Sequence, residues 1–222
     1  MEIITHIAAS FQQNENPSKA VEMAAYLKDQ FPFFGLPRDQ RWPHYRSAWA
    51  AHPIGNSDEL EAVIRTAWSQ PQREFHYFAI ETVIKYKKLL QADHLSLIHH
   101  CITHQSWWDT VDMFAGRISG YFFQQFPNLI PKGPDQWIGS DNLWLIRSAL
   151  LNQLFFDMDH FDEQRLFRYI LQHKANKEFF IAKAIGWALR QYSKQRPERV
   201  RWFLDHTELQ PLSRKEAAKR LI

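Results

Sequence analysis

SDNLWLIRSALLNQL, residues 140–154, reads as a capped, largely apolar helix, and the chain around it repeats that reading at a fixed distance. Asp141 is a good N-cap for it. Pro71 opens PQREFHYFAIETVIKYKKLL, where proline suits a first helical turn. Ser106 stands before WWDTVDMFAG, and Asn176 before KEFFIAKAIGWALRQY. Positions 71, 106, 141 and 176 are each 35 residues apart, and Ala79, Phe114, Ala149 and Ala184 keep the same register eight residues on. Ser57 caps a further helix, DELEAVIRTAW. Shorter helical stretches alternate with the long ones: DHLSLIHHCITH at 93–104, FDEQRLFRYILQH at 161–173 and PERVRWFLDH at 197–206.

A long helix alternating with a short one at this period predicts an all-α fold, a right-handed α-solenoid of HEAT-like helix pairs with a concave groove. An irregular helical bundle is the other helical reading. Residues 17–31 read as a helix, followed by an aromatic, proline-rich connection, FPFFGLPRDQRWP. No low-complexity linker divides the 222 residues, so one domain, 1–222, is expected. The aromatic run YFFQQF at 121–126 reads as the buried side of a helix between repeats.

Composition excludes several classes. One cysteine, Cys101, rules out an internal disulfide and any zinc cluster of several thiolates. The N-terminal stretch lacks the pattern of a signal peptide, and no run approaches the roughly 20 apolar residues of a membrane span. A cytoplasmic, nucleoid-accessible protein that does not enter membranes is the simple reading. His99, His100 and His104 lack neighbouring ligands for an obvious metal set, so no metal is expected. GxGxxG, GxxxxGK[ST] and GxSxG motifs are absent. Charge is uneven: 14 Lys and Arg face 5 Asp and Glu from residue 165 onward, against 13 and 19 before it. The basic third could track phosphates, or be a set of solvated helix faces.

The period also pairs chemistry. Asp112 is the sixth residue after Ser106 and Arg147 the sixth after Asp141, so an acid and a base occupy equivalent places in successive repeats. Trp108 precedes Asp112 by four residues and shares its helix face. Such a pair can be structural or functional.

SWWDTVD at 106–112, SDNLWLIRSALLNQL at 140–154 and NKEFFIAKAIGWALRQYSK at 176–194 resemble the AlkD family of HEAT-repeat alkylpurine DNA glycosylases. NPSKAVEMAAYLKDQF at 16–31 and ELQPLSRKEAAKRL at 208–221 extend the resemblance over nearly the whole chain. It implies a superhelix that wraps double-stranded DNA and hydrolyses the N-glycosidic bond of N3- and N7-alkylated purines, as a monomer and with no cofactor. By resemblance, the catalytic tryptophan and aspartate fall on Trp108 and Asp112. The catalytic arginine falls on Arg147 and a second aromatic wall on Trp187. Tyr26 and Arg190 match DNA-contacting positions, and Arg38 and Arg41 are kept in the loop GLPRDQRW at 35–42.

The chemistry suits these residue types. A cationic purine leaves without protonation, the sugar becomes oxocarbenium-like, and one carboxylate can stabilise it. The indoles of Trp108 and Trp187 would attract the cationic lesion through their π faces. Arg147 would hold Asp112 or contact a phosphate. The chain departs from the family where Phe155 replaces a lysine at a groove position, followed by the acidic segment FDMDHFDE at 156–163. A catalytically weak or inactive DNA-binding relative is therefore the alternative reading, and a HEAT-repeat protein–protein scaffold a second one.

Overall fold

A computed structural model describes residues 1–221, and these fold entirely into helices and their connections, with no strand among them. Two compact units are distinguished, Met1–Leu97 and the chain from Ile98 onward.

The first unit carries α1 (Glu2–Gln13), α2 (Pro17–Tyr26), α3 (Arg38–Ala51), α4 (Ser57–Trp68) and α5 (Arg73–Lys85). α2 is shorter than the helix expected over 17–31. Lys28 and Asp29 take φ of 60° and 56°, and two left-handed residues in succession end a right-handed helix. RDQRWP, expected as connection, instead forms the first turns of α3, with Pro43 inside the helix. Burial decides it: Tyr45, Ala48 and Trp49 on its inner side are at most 6% exposed, and the Trp49 indole N–H donates to Thr82 Oγ1 at 3.0 Å. That packing outweighs the backbone bond that a proline forfeits.

The loop before α3 is fastened from below. Glu74 is fully buried, and its carboxylate accepts the N–H groups of Phe34, Gly35 and Leu36 at 3.1, 2.9 and 3.2 Å. Burial pushes this carboxyl above its ordinary range, and the backbone donors pull it back. Gly35 has φ of 88°, and a Cβ there would stand 2.7 Å from the amide nitrogen of Ala20, so the turn takes no other residue without strain.

α6 (Leu95–Thr103) spans the boundary between the units. The second unit continues with α7 (Trp108–Met113), a π-helical stretch Phe114–Ser119, α8 (Gly120–Gln125), α9 (Pro134–Trp137), α10 (Leu143–Leu151), α11 (Glu163–His173), α12 (Phe179–Tyr192), α13 (Pro197–His206) and α14 (Pro211–Ala218). α10 packs on α7 and on α12, and α12 packs on α14. Within the second unit α7, α10 and α12 thus stack in chain order, as the 35-residue period predicts for them. Ala149 and Ala184, from the recurring small position, are at most 1% exposed. YFFQQF falls on α8 with Phe122 and Phe123 buried, as expected, and α8 continues without a break from α7 and the π-helical stretch.

The helices start two or three residues after the positions marked by the sequence, at Arg73, Trp108, Leu143 and Phe179. Ser106 does not cap α7; its hydroxyl donates back to the Ile102 carbonyl at 2.6 Å. Asn142, rather than Asp141, caps α10 by accepting the N–H groups of Trp144 and Leu145. Asn176 accepts from the Glu178 N–H at 2.9 Å, a turn that places Phe179 at the helix start. Asn56, not Ser57, caps α4 by accepting from Glu59.

α12 and α14 approach closely at Gly186, where an added Cβ would lie 2.7 Å from the Ser213 carbonyl oxygen and collide with Glu216 Cβ. Gly186→Ala is expected to destabilise the second unit by about 1–3 kcal/mol, because backbone rather than a flexible side chain must give. Urea denaturation followed by circular dichroism reads this, and an unchanged midpoint would show that α14 shifts freely.

Candidate nucleic-acid interface

The repeat-equivalent pair of α7 and α10 is a bidentate ion pair. Arg147 Nε donates to Asp112 Oδ1 at 2.7 Å and Nη2 to Oδ2 at 3.0 Å, while Nη1 donates to the Phe180 carbonyl at 2.6 Å. The side chains are 6% and 18% exposed. Fork-to-fork geometry fixes both planes at once, and a pair this buried acts with little solvent screening. Burial pushes the Asp112 carboxyl above its ordinary range; the hydrogen bonds and charge of Arg147 pull it down, and Asp109 adds a smaller upward push. Asp112 stands two residues before the π-helical stretch, whose wider turn resets the register of everything after it.

Beside the pair lies an open cleft of about 280 Å³, lined by Trp108, Arg147, Phe179, Phe180, Lys183, Trp187, Arg190 and Glu216. Of the sequence-marked residues, Trp108, Arg147, Trp187 and Arg190 therefore share one surface, and Asp112 is bound to the Arg147 of that surface. The two tryptophans of SWWD divide their work. Trp107 packs on Trp144 and Phe180 with ring centroids 5.7 and 5.5 Å apart, whereas Trp108 faces the cleft.

Lys183, Phe179 and Glu216 lay outside the sequence reading. Lys183, Trp187 and Arg190 stand at i, i+4 and i+7 on α12, a helical spacing that marks one face. Glu216 had no such signal. It accepts from Lys183 at 2.7 Å, from Arg190 at 2.6 Å and from Lys219 at 2.7 and 2.8 Å. The hydrogen bonds of Lys183 and Lys219 hold its carboxyl down at about 2.

A depressed carboxyl stabilises the fold above its ordinary pKa of about 4.5 and loses that contribution as pH falls through about 2. Glu216→Gln is thus expected to cost roughly 2 kcal/mol at neutral pH, after discounting for the solvent around its partners. The gap to wild type should close between pH 4.5 and 2 in denaturant titrations. A gap independent of pH would mean that the loss comes from packing.

Phe155 does not line the cleft. It is 54% exposed, lies against the backbone at Gly116, and has the Arg117 guanidinium 5.3 Å from its ring centre. Two of the acids after it serve structure: Asp162 caps α11, and Glu163 binds the Arg199 guanidinium and the Tyr192 hydroxyl. Part of the C-terminal basic charge is likewise spent locally, with Arg168 on Asp135 and Arg214 on the Leu204 carbonyl.

In the first unit, Tyr26 is 69% exposed at the end of α2. The Arg38 side chain is 73% exposed, 3.4 Å from Glu81, with its guanidinium over Trp42. Arg41 is different. It is 7% exposed, donates to the Leu36 carbonyl at 2.7 Å and stacks on Tyr77, which makes it a fastener of the loop. His100 and His104 stack at 4.1 Å, and no group of three metal-ligating side chains occurs among the described residues. Nor is any described helix long and apolar enough to cross a membrane.

Stacked helices with an aromatic, basic cleft along one of them define an α-helical repeat protein. Comparison with known proteins narrows this. The DNA alkylation repair enzyme family matches residues 7–221, and the chain belongs to that family. A protein of Enterococcus faecalis described as a predicted DNA alkylation repair enzyme is 29% identical over 93% of this chain and 96% of its own, with a TM-score of 0.86. AlkD2 from Streptococcus mutans is 19% identical over 80% and 88%, and smu.31 from Streptococcus mutans UA159 is 18% identical over 91% and 96%; each has a TM-score of 0.62 and shares the fold. No curated protein matches the chain.

Proposed function

We propose that the chain is a DNA glycosylase for N3- and N7-alkylated purines in duplex DNA, acting as one monomeric domain in the cytoplasm. The observation that carries this is the buried bidentate Arg147–Asp112 pair beside a cleft walled by Trp108 and Trp187. A carboxylate fixed beside aromatic faces is what an oxocarbenium-like sugar and a cationic leaving base require. Arg147 is the orienting group of Asp112, since its Nε, Nη1 and Nη2 all donate within the protein. Tyr26 and Arg38, both exposed, are read as further DNA contacts, with Arg41 supporting their loop.

Base release from methylated duplex tests the reading. Wild-type protein is expected to liberate N3-methyladenine or N7-methylguanine; no release at enzyme excess would overturn the glycosylase. One observation favours a second reading, a DNA-binding relative without catalysis: each Asp112 oxygen already accepts a hydrogen bond from Arg147, which ties the carboxylate within the protein. Release by wild type that disappears in Asp112→Asn decides between the two.

A further inference from the structure

The cleft carries an unbalanced charge with a defined place. Arg147 is matched by Asp112, but Lys183, Arg190 and Lys219 converge on the single carboxylate of Glu216, leaving a net +2. The four groups differ in depth. The Glu216 side chain is 7% exposed, whereas those of Lys183, Arg190 and Lys219 are 36%, 27% and 48% exposed. The acid is therefore the floor and the cations the rim. Its helix is held close where Gly186 lets α14 against α12, with Glu216 Cβ directly over Gly186.

Both oxygens of Glu216 are saturated: Oε1 accepts from Lys183 and Lys219, Oε2 from Arg190 and Lys219. The cations are not. Lys183 gives one of its three ammonium hydrogens to Glu216, and Arg190 gives only Nη1, leaving Nε and Nη2. Two like charges two turns apart on α12 are thus drawn to opposite oxygens of one carboxylate, where they would otherwise repel. Spare donors beside an excess of positive charge, at the mouth of an aromatic cleft, suit a singly charged anion with two terminal oxygens.

We infer that Lys183 and Arg190, held side by side by Glu216 as a positioning residue, bind one phosphodiester of the duplex backbone beside the Trp108–Trp187 cleft. The inference rests on the reading that duplex DNA occupies this cleft, and adds to it a second cation and the acid that pairs the two.

Binding of an unmodified labelled duplex at several salt concentrations tests it, with circular dichroism as the folding control. A protein that neutralises one fewer phosphate loses about 0.9 from the slope of log affinity against log salt. Lys183→Ala/Arg190→Ala is expected to lose about that much and to bind roughly tenfold more weakly at physiological salt. An unchanged slope, or wild type that binds no duplex, overturns the site; a loss of about 1.8 means two separate phosphates and overturns the pairing. Inorganic phosphate at constant ionic strength is expected to displace no more duplex than chloride does. Selective displacement from wild type would assign the site to free phosphate instead.

The role of Glu216 is read by a cycle. Arg190→Ala should weaken binding less in the Glu216→Gln background than in wild type, and equal losses overturn the positioning role. Should Glu216→Gln not fold, Glu216→Asp, whose shorter arm cannot reach both cations, takes its place. Base release measured in parallel separates the two proposals. Release with an unchanged slope in the double variant sinks only this site; a Lys183- and Arg190-dependent slope without release sinks only the glycosylase.

Discussion

Arg147→Ala is expected to destabilise the second unit by about 3–5 kcal/mol, the usual cost of stranding one partner of a buried ion pair. Three hydrogen bonds end with that guanidinium, two on Asp112 and one on the Phe180 carbonyl. At 5% exposure, water does not simply replace them. The pH dependence has a definite sign. Burial already raises the Asp112 carboxyl, and Arg147 is the group that holds it down, so the variant raises it further. A raised carboxyl costs nothing while protonated, below its ordinary range, and costs more as pH rises through its folded-state value. The deficit against wild type should therefore be smallest in acid and grow toward neutral pH. Urea titrations across that range measure it. A loss under about 1 kcal/mol would place the pair in solvent, where such bridges contribute little.

That pair is legible in the sequence, because the 35-residue period assigns Asp112 and Arg147 equivalent places, and α7 packs on α10. Periodicity carries such information wherever the same helix is laid down repeatedly. It fails where a contact is made once. α1 begins at Glu2 without a side-chain cap, and α3 runs through a proline, so neither shows the usual punctuation; both exist because Phe11, Tyr45 and Phe75 bury one another. Glu216 is one acid in a basic tail, and its importance depends on a close approach at Gly186 that no local pattern announces. Arg41 reads like its neighbour Arg38, but one guanidinium is internal and the other largely exposed. Residue type and spacing placed the cleft wall; which cations are spent internally is a matter of packing.

Asp112→Asn is expected to reduce base release by about 10²–10³-fold while leaving duplex binding nearly intact. The amide keeps the size and one acceptor oxygen, so Arg147 retains part of its hold through Nε or Nη2. What it removes is the negative charge that the breaking C1′–N bond would call on as the sugar turns cationic. In a site this buried that charge is poorly screened, which is why one group can account for about 3–4 kcal/mol of barrier. Asp112 is also tied to Arg147 through both oxygens, so it contributes little to holding the ground-state duplex. The effect should thus appear in single-turnover release and not in affinity. Stability separates chemistry from folding: Arg147 keeps a neutral acceptor, so the asparagine variant should lose less than Arg147→Ala. If release from methylated duplex is as fast in Asp112→Asn as in wild type, the carboxylate is structural and the bond is broken by other means.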